Sequence, residues 1–199
     1  MGSPFGGFGG VVKVLALEGS PRRGGNSSIL LDWVLEGVEE KGGQVTRLYV
    51  RDLEISPCTG CDGCQVAGEC VVRDDMDRVM TLLLDSDHLV VATPVYFYHL
   101  PAQLKALVDR FQPLWGRRVL LKKGLPERGK LLLVGVGATR GERLFDGVLL
   151  TMKCVAPFLG LVLVDPLLVR GVDAVGAVRD VRGLKGIAIK KGMELVTRG

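Results

Sequence analysis

Four of the five cysteines lie in one short segment, at Cys58, Cys61, Cys64 and Cys70. Small residues such as Gly60 lie between them and allow the chain to fold round a compact centre. Four thiolates can hold a [4Fe–4S] cluster or a tetrahedral zinc ion. The stepped spacing is more typical of cluster ligation than of the paired cysteines of zinc ribbons, and intracellular chains seldom use such crowding for disulfides.

Two simpler interpretations of this segment remain open. The cysteines could bind no metal and only pack against neighbours, or they could respond to oxidants. The fifth cysteine, Cys154, lies in an apolar stretch of helical pattern. We therefore expect Cys154 to be a buried core residue.

A second candidate site is the loop from Gly19 to Ser28, which follows an apolar run and leads directly into a helical pattern. Such a turn leaves backbone N–H groups free at a helix start, where anions bind. The loop also carries neutral donors and one cationic donor suited to a monophosphate, namely Ser20, Asn26, Ser27, Ser28 and Arg22. The alternative is a glycine-rich connection in which Asn26 or Ser27 only caps the helix. The loop matches neither the dinucleotide fingerprint nor the Walker motif.

A third segment, from Thr93 to His99, places three aromatic residues in a row after a predicted strand. A flavin needs an apolar and aromatic wall for its ring, with backbone groups for its polar edge. We therefore interpret Tyr96 and Phe97 as a ring-binding surface. The alternative is a hydrophobic loop that packs on a neighbouring element or at a subunit interface.

These three segments must be positioned by a regular framework. Apolar runs of strand length alternate with amphipathic stretches of helix length, which predicts an α/β fold with a parallel sheet covered by helices on both faces. Ligands of doubly wound folds bind beyond the carboxyl ends of the strands, where these loops begin. We predict strands over 11–17, 44–50, 88–93, 130–137 and 161–169, and helices over 26–41, 74–85, 101–115, 142–159 and 183–197.

The length of 199 residues suits one sizeable core. We expect a single domain over 11–199, with the cysteine-rich loop at 58–70, after a flexible arm over 1–10. The net charge of +4 is modest, and the basic cluster at Arg117, Arg118, Lys122 and Lys123 lacks stacking aromatics, so no nucleic-acid partner is expected. No apolar run has the length of a bilayer span and the start does not resemble a signal peptide, so we expect a cytoplasmic protein without a membrane partner.

The sequence resembles the NAD(P)H-dependent FMN reductases of flavodoxin-like fold. The likeness lies in Gly19-Ser20-Pro21-Arg22 with Asn26-Ser27, in Thr93-Pro94-Val95-Tyr96-Phe97, and in the run from Pro101 to Arg110. It covers the first 115 residues closely and the rest only in layout. The resemblance implies a five-stranded, doubly wound parallel sheet.

The same resemblance implies a set of FMN contacts. Ser20, Arg22, Asn26, Ser27 and Ser28 would hold the phosphate. Thr93, Pro94, Val95, Tyr96 and Phe97 would form the second flavin loop, of which the last four lie along the isoalloxazine and ribityl groups. Gly137, Ala138 and Thr139 would form the third flavin loop.

The cysteine spacing resembles that of iron–sulfur flavoproteins, a branch of this family. The resemblance implies that electrons pass between FMN and a [4Fe–4S] cluster, which approach each other across the interface of a homodimer or homotetramer. Similar cysteines followed by Asp74-Asp75-Met76 also resemble those of family members not known to carry a cluster.

Three hypotheses for function follow. The first is an FMN oxidoreductase that exchanges electrons with the cluster and with an external NAD(P)H, redox protein or small-molecule acceptor. The second is a cluster-free NAD(P)H-dependent FMN or quinone reductase. The third is a non-enzymatic flavin or metal module whose cysteines sense oxidants. With only two histidines and no nucleophile constellation, the sequence identifies no catalytic acid or base.

Overall fold

The computed structural model describes residues 10–197, in which strands and helices alternate along the chain. The strands are β1 (Lys13–Glu18), β2 (Gln44–Tyr49), β3 (His88–Pro94), β4 (Gly129–Gly137), β5 (Leu161–Leu163) and β6 (Leu167–Arg170). The helices are α1 (Asn26–Glu40), α2 (Gly63–Ala67), α3 (Met76–Asp85), α4 (Ala102–Asp109), α5 (Gln112–Val119), α6 (Asp146–Val155) and α7 (Leu184–Val196). Short 3₁₀ turns occupy Val50–Asp52, Ala156–Leu159 and Ala177–Asp180.

All strand pairs are parallel, in the order β2-β1-β3-β4-β5, with β6 also paired to β4. The chain reverses its direction of winding at β1, which pairs with both β2 and β3. The loops that leave β1 and β3 therefore lie side by side at the carboxyl edge, where such folds bind ligands. This arrangement confirms the predicted doubly wound, flavodoxin-like fold.

Alternation along β1 divides the core between the two faces of the sheet. Leu15 and Leu17 pack with apolar residues of α3, α4, α5 and α6, whereas Val14 and Ala16 pack with residues of α1 and α7. Successive side chains of a strand point to opposite faces, so a strand buried on both faces is apolar throughout. No helix within residues 10–197 is long and apolar enough to span a bilayer.

Prolines cause the main departures from the predicted elements. The helix predicted over 101–115 is two helices, because Pro113 lacks the N–H needed for a continuous helix and instead lies in the first turn of α5. The strand predicted over 161–169 is interrupted at Pro166, which cannot donate to the ladder. The fifth position in the sheet is thus filled by two short strands.

Two further boundaries differ from the prediction. The helix predicted over 142–159 begins at Asp146 and ends at Val155, followed by a 3₁₀ turn that contains Pro157. The short helix α2 within the cysteine segment was not predicted. The expected N-terminal arm over 1–10 lies outside the described residues apart from Gly10.

Close packing between α7 and α1 fixes the orientation of the helix that begins at the phosphate loop. A Cβ atom at Gly192 would lie 1.9 Å from the carbonyl oxygen of Val34, and one at Gly37 would lie 2.0 Å from that of Ile189. Real atoms do not approach so closely, so only glycine allows the two helices to meet at this distance.

We predict that Gly192→Ala lowers the free energy of unfolding by about 1–3 kcal/mol, because the added methyl group separates two packed helices. Gly186→Ala is the matched control in the same helix, since a Cβ there has no neighbour within 4 Å. That variant should gain about 0.5–1 kcal/mol from helix propensity. Urea unfolding measures both, and equal effects of the two variants would contradict the packing argument.

Candidate functional site

Loops from the carboxyl ends of three strands line one cleft of about 110 Å³. The first loop follows β1, the second follows β3 and the third follows β4, with residues after β6 closing the far side. The cleft is lined by Ser20, Arg22, Gly25, Asn26, Ser27, Pro94, Val95, Tyr96, Val136, Gly137, Ala138, Val172, Asp173 and Val175. Three segments predicted separately from the sequence therefore meet at one place.

The start of α1 offers unused hydrogen-bond donors to this cleft. Among the described residues, α1 has no side-chain cap, and its first amide with an acceptor is that of Ile29, 3.0 Å from the oxygen of Gly25. The hydroxyl of Ser27 is buried and lines the cleft, and it has no hydrogen-bond partner in the described part of the chain. Free amides, a free hydroxyl and the positive end of the helix form a site suited to an anion.

Two of the predicted phosphate residues use their side chains to shape the loop. The Oγ of Ser20 accepts the backbone N–H of Arg22 at 3.1 Å. The side-chain amide of Asn26 donates to the oxygen of Ala174 at 2.9 Å and accepts from the N–H of Val178 at 3.4 Å. Asn26 therefore ties the start of α1 to the segment that follows β6, while it still lines the cleft.

The side chain of Ser28 lies below the loop instead of in the cleft. Its hydroxyl donates to Oε1 of Glu18 at 2.8 Å, and Ser28 is absent from the cleft lining. The predicted phosphate contact of Ser28 can therefore come only from its backbone N–H. Asn26 lines the cleft, and Ser28 follows it by two positions in α1. Residues two positions apart in a helix do not face the same side, so the side chain of Ser28 points away from the cleft.

Glu18 is the centre of a buried ionic network that sequence reasoning missed. Its carboxylate is 1% exposed and forms ion pairs with Arg47 and with Arg51, whose Nη1 lies 2.6 Å from Oε1. The Nη1 of Arg51 also donates to the oxygen of Ser20 at 3.3 Å. Burial alone would raise the pKa of Glu18, but hydrogen bonds from Arg51, Ser28 and Arg47 outweigh it, so the pKa lies below its ordinary value.

The segment after β3 forms a tight two-residue hairpin turn. Tyr96 and His99 exchange both backbone hydrogen bonds at 2.9 Å, and Phe97 and Tyr98 between them have φ values of 49° and 64°. This left-handed conformation normally favours asparagine and glycine, so two aromatic residues adopt it at a cost. The ring of Phe97 is fully exposed beside the cleft but does not line it.

Two other predicted flavin residues also lie off the cleft. Thr93 is fully buried and its hydroxyl donates to the oxygen of Pro94 at 2.8 Å, so its side chain is committed to the loop backbone. Thr139 is exposed and does not line the cleft, unlike Gly137 and Ala138 before it. The predicted cofactor contacts of Thr93, Phe97 and Thr139 remain predictions.

All four clustered cysteines line a second cavity, of about 260 Å³, in the loop between β2 and α3. Cys58 and Cys61 are exposed, Cys64 and Cys70 are half-buried, and all four are free thiols. Burial raises the pKa of Cys64, and the three other cysteines raise it further.

The thiols are not assembled around a metal position in the described part of the chain. Within residues 10–197, no group of three or more histidine, cysteine, aspartate or glutamate side chains is arranged to hold one ion. A [4Fe–4S] cluster binds each thiolate to a different iron, so its ligands stand farther apart than those of one zinc ion. The four cysteines share one cavity, and their role as ligands of a cluster stays a prediction.

Helix α5 supports the cysteine loop from below. A Cβ at Gly116 would lie 3.0 Å from the oxygen of Cys64, so glycine allows α2 to approach α5 closely. The Nε of Arg117 donates to the oxygen of Gly68 at 2.6 Å, where a φ of 73° ends α2. Thus Arg117, one of the four residues of the basic cluster, helps to hold the cysteine loop in place.

The prediction for Cys154 was wrong. Its side chain is exposed on α6 and faces a groove of about 580 Å³ shared with α4 and α5. An apolar sequence context does not reveal which face of a helix a residue occupies, and Leu150, one turn earlier, is also exposed.

Comparison with known proteins gives consistent relatives. The family model of NADPH-dependent FMN reductase matches residues 12–150. An iron–sulfur flavoprotein of Archaeoglobus fulgidus is 41% identical over 111 residues, which are 56% of this chain and 50% of that protein. The iron–sulfur flavoprotein MJ1083 of Methanocaldococcus jannaschii is 35% identical over 130 residues, 65% of this chain and 64% of that protein. The matches thus span half to almost two thirds of these relatives.

Solved structures agree on the fold. An NAD(P)H:quinone oxidoreductase from Methanothermobacter marburgensis aligns with a TM-score of 0.74 at 18% identity, covering 96% of this chain and 100% of that chain. An azoreductase from Bacillus anthracis aligns with a TM-score of 0.64 at 16% identity, covering 92% and 98% respectively. At this identity the likeness shows the fold alone.

We predict that Glu18→Gln lowers the free energy of unfolding by about 3 kcal/mol at neutral pH, because it leaves Arg47 and Arg51 without their buried counter-charge. The control Asp32→Asn removes only the exposed partner of Arg47 and should cost less than about 1 kcal/mol.

The pH dependence has a definite sign. Because the folded pKa of Glu18 is lowered, its stabilisation is present above the unfolded pKa of about 4.3 and is lost as the pH falls through the folded value. The difference between wild type and Glu18→Gln should therefore shrink below about pH 4 in urea titrations. A difference that stays constant down to about pH 2 would contradict this assignment.

Proposed function

Because the chain belongs to the NADPH-dependent FMN reductase family, we propose that it is a flavin-dependent oxidoreductase with two redox centres. FMN binds in the cleft beside α1, and a [4Fe–4S] cluster binds to Cys58, Cys61, Cys64 and Cys70. Electrons move between these two centres and an external partner. That partner is NAD(P)H, a redox protein or a small-molecule acceptor. When bound, FMN supplies the ability to accept a hydride and release electrons singly.

The donor set at the start of α1 carries the flavin half of the proposal. The amides of Asn26, Ser27 and Ser28, together with the Ser27 hydroxyl, face a site for an anion without an internal acceptor. The guanidinium of Arg22 is exposed at the same rim and has no ion-pair partner in the described part of the chain. These groups fit the phosphate of FMN and orient the rest of the molecule toward β3.

The size of the cleft indicates where the ring lies. A cleft of about 110 Å³ is smaller than the volume usual for a whole cofactor site. Tyr96, which lines the cleft, and the exposed ring of Phe97 beside it would hold the isoalloxazine where it leaves the cleft.

An exposed flavin and an exposed aromatic hairpin both favour cover by another copy of the chain. We accordingly propose a homodimer or homotetramer, in which the hairpin at Tyr96–His99 is shielded from water. We also place the protein in the cytoplasm, where free thiols stay reduced.

The cluster half rests on the four cysteines that surround one cavity and on the relatives named iron–sulfur flavoproteins. A cluster-free NAD(P)H-dependent reductase is the second candidate, since one relative, from Bacillus subtilis, is named a putative NAD(P)H-dependent FMN-containing oxidoreductase and is 27% identical over 100 residues. The exposed thiols of Cys58 and Cys61 would also suit a redox sensor, which is the non-enzymatic alternative.

Anaerobic purification with an iron count and an absorption spectrum tests the cluster. We expect bound FMN and about four irons per chain. Cys61→Ser should lose iron and keep flavin, because the two sites use different loops, whereas Cys154→Ser is the control that should keep both. A wild type that holds flavin but no iron after anaerobic reconstitution would favour the cluster-free reductase. Bound FMN that no donor reduces would favour the sensor.

Paired arginine variants test the phosphate site. Arg22→Ala should weaken FMN binding about 10-fold, because it removes a charge-assisted contact to the phosphate. Arg23→Ala is the neighbouring control, since Arg23 is paired with Asp52 at 2.7 Å. Fluorescence titration of the apoprotein with FMN and with riboflavin measures the effect. Arg22→Ala should leave riboflavin affinity unchanged, and equal losses for both ligands would argue against the phosphate assignment.

A further inference from the structure

The side chain of Arg110 binds the backbone on both sides of the cysteine segment. It lies between α4 and α5 and is only 2% exposed. Its Nη1 donates to the oxygen of Ser56 at 2.8 Å, before the first cysteine, and its Nη2 donates to the oxygen of Val72 at 3.0 Å, after the last. One side chain thus joins the two ends of the segment without any metal.

Asp74 completes this junction. Its carboxylate accepts from Nη1 and Nη2 of Arg110 at 2.7 and 3.2 Å, and from the N–H groups of Ser56 and Met76 at 2.9 Å each. Burial alone would raise the pKa of Asp74, but these hydrogen bonds outweigh it and the pKa lies below its ordinary value. The pair is therefore ionised at neutral pH.

The cation of this pair faces the cysteines and the carboxylate does not. Arg110 lines the cysteine cavity, whereas Asp74 is absent from the lining. An arginine side chain stays protonated in proteins, so Arg110 presents a positive charge to this cavity. The acid that does line the cavity, Asp62, is exposed, so solvent screens its charge.

One donor of Arg110 remains unused. Its Nε is buried and has no hydrogen-bond acceptor in the described part of the chain. A buried N–H without an acceptor is costly. The Nε atoms of Arg51 and Arg128 share this state, but of the three arginines only Arg110 lines the cysteine cavity. The cavity that Arg110 shares with the four cysteines offers sulfur as that acceptor.

We propose that Arg110 is a positioning residue of the cysteine site that performs two tasks. It holds residues 56–74 ready for ligation before metal binds, and it raises the reduction potential of the bound [4Fe–4S] cluster. The second task rests on the proposed function. Reduction by one electron makes a thiolate-bound cluster more negative, so a buried cation beside it favours the reduced form.

Hydrogen exchange on the metal-free protein tests the first task. Amides within 56–74 should exchange at least tenfold faster in Arg110→Met than in wild type, while β1, β3 and β4 stay protected. The control is Arg128→Met, because Arg128 is a half-buried arginine that also donates to backbone carbonyls, those of Ser86 and Leu83. It does not line the cysteine cavity. Unchanged exchange in Arg110→Met, or equal loosening in both variants, would overturn the positioning role.

Redox titration of the reconstituted protein with dithionite, followed by electron paramagnetic resonance, tests the second task. Arg110→Met should lower the equilibrium constant for reduction at least tenfold, which is about 59 mV for a one-electron couple. Arg110→Lys should stay near the wild-type potential, because it keeps the charge, yet it should loosen the loop because it cannot span both ends. Asp74→Asn should raise the potential, since it removes the counter-charge.

A purely structural role would shift the potentials of Arg110→Met and Asp74→Asn in the same direction, and that result would overturn the electrostatic role. If Asp74→Asn does not fold, the test compares Arg110→Met with Arg110→Lys. Equal reduction potentials in these two variants would overturn the electrostatic role. A wild type that takes up no iron would refute the electrostatic role together with the proposed cluster, whereas the exchange result decides the positioning role by itself. A wild type that binds iron with potentials insensitive to Arg110 would refute this inference alone.

Discussion

Parallel pairing of β1 with β2 on one side and with β3 on the other determines where chemistry can occur in this chain. Parallel strands send their carboxyl ends to one edge, so loops that are distant in sequence must converge there. The anion-binding loop, the aromatic hairpin and the loop after β4 meet because of this constraint. The cysteine loop leaves β2 at the same edge, and the cavity that the cysteines line shares no residue with the cleft beside α1.

Convergence of irregular loops creates a second problem, because their backbone carbonyls are not paired within strands or helices. Two arginines, Arg51 and Arg110, satisfy such carbonyls. Arg51 donates to the oxygen of Ser20 and pairs with Glu18, while Arg110 donates to the oxygens of Ser56 and Val72 and pairs with Asp74. In each case a guanidinium satisfies carbonyls and a carboxylate balances its charge. The cost of burying these ions is offset by a fixed loop geometry that apolar residues could not provide.

The sequence was sufficient for features that depend on local pattern. The alternation of apolar strands with amphipathic helices has a period, and the fold was predicted from it. The glycine-rich loop after β1 and the four spaced cysteines are motifs, and they marked the two candidate sites. Features that depend on side-chain direction were not accessible. The hydroxyls of Ser27 and Ser28 are equivalent in the sequence, but helix geometry sends one to the cleft and the other to Glu18. Cys154 was misplaced for the same reason.

Some missed features did leave a trace. Glu18 is a lone acid at the end of an apolar strand, and the arginines at 47 and 51 lie on either side of the end of the neighbouring strand. Parallel register pairs Glu18 with Tyr49, whose ring lies under both guanidinium groups at 5.0 and 4.7 Å. An acid that must be buried at the centre of a sheet requires cations from the adjacent strand. The pairing of β1 with β2 would therefore have been enough to predict this network. The role of Arg110 could be found only from the tertiary structure, because its partners are 36 to 54 positions away in the sequence.

The ion pairs Glu18–Arg51 and Asp74–Arg110 also hold the cleft and the cysteine loop in place independently of each other. Arg51 and Asp52 join the root of the cysteine loop to the flavin side, through Ser20 and Arg23 respectively. A few residues later Arg110 fixes Ser56, and the chain regains the core at Met76. Movement of the cysteine loop is thus confined between two anchored points, and the cleft side of Ser56 stays fixed by Arg51. Rigid anchors at both ends let the loop between them change conformation without disturbing the cleft beside α1.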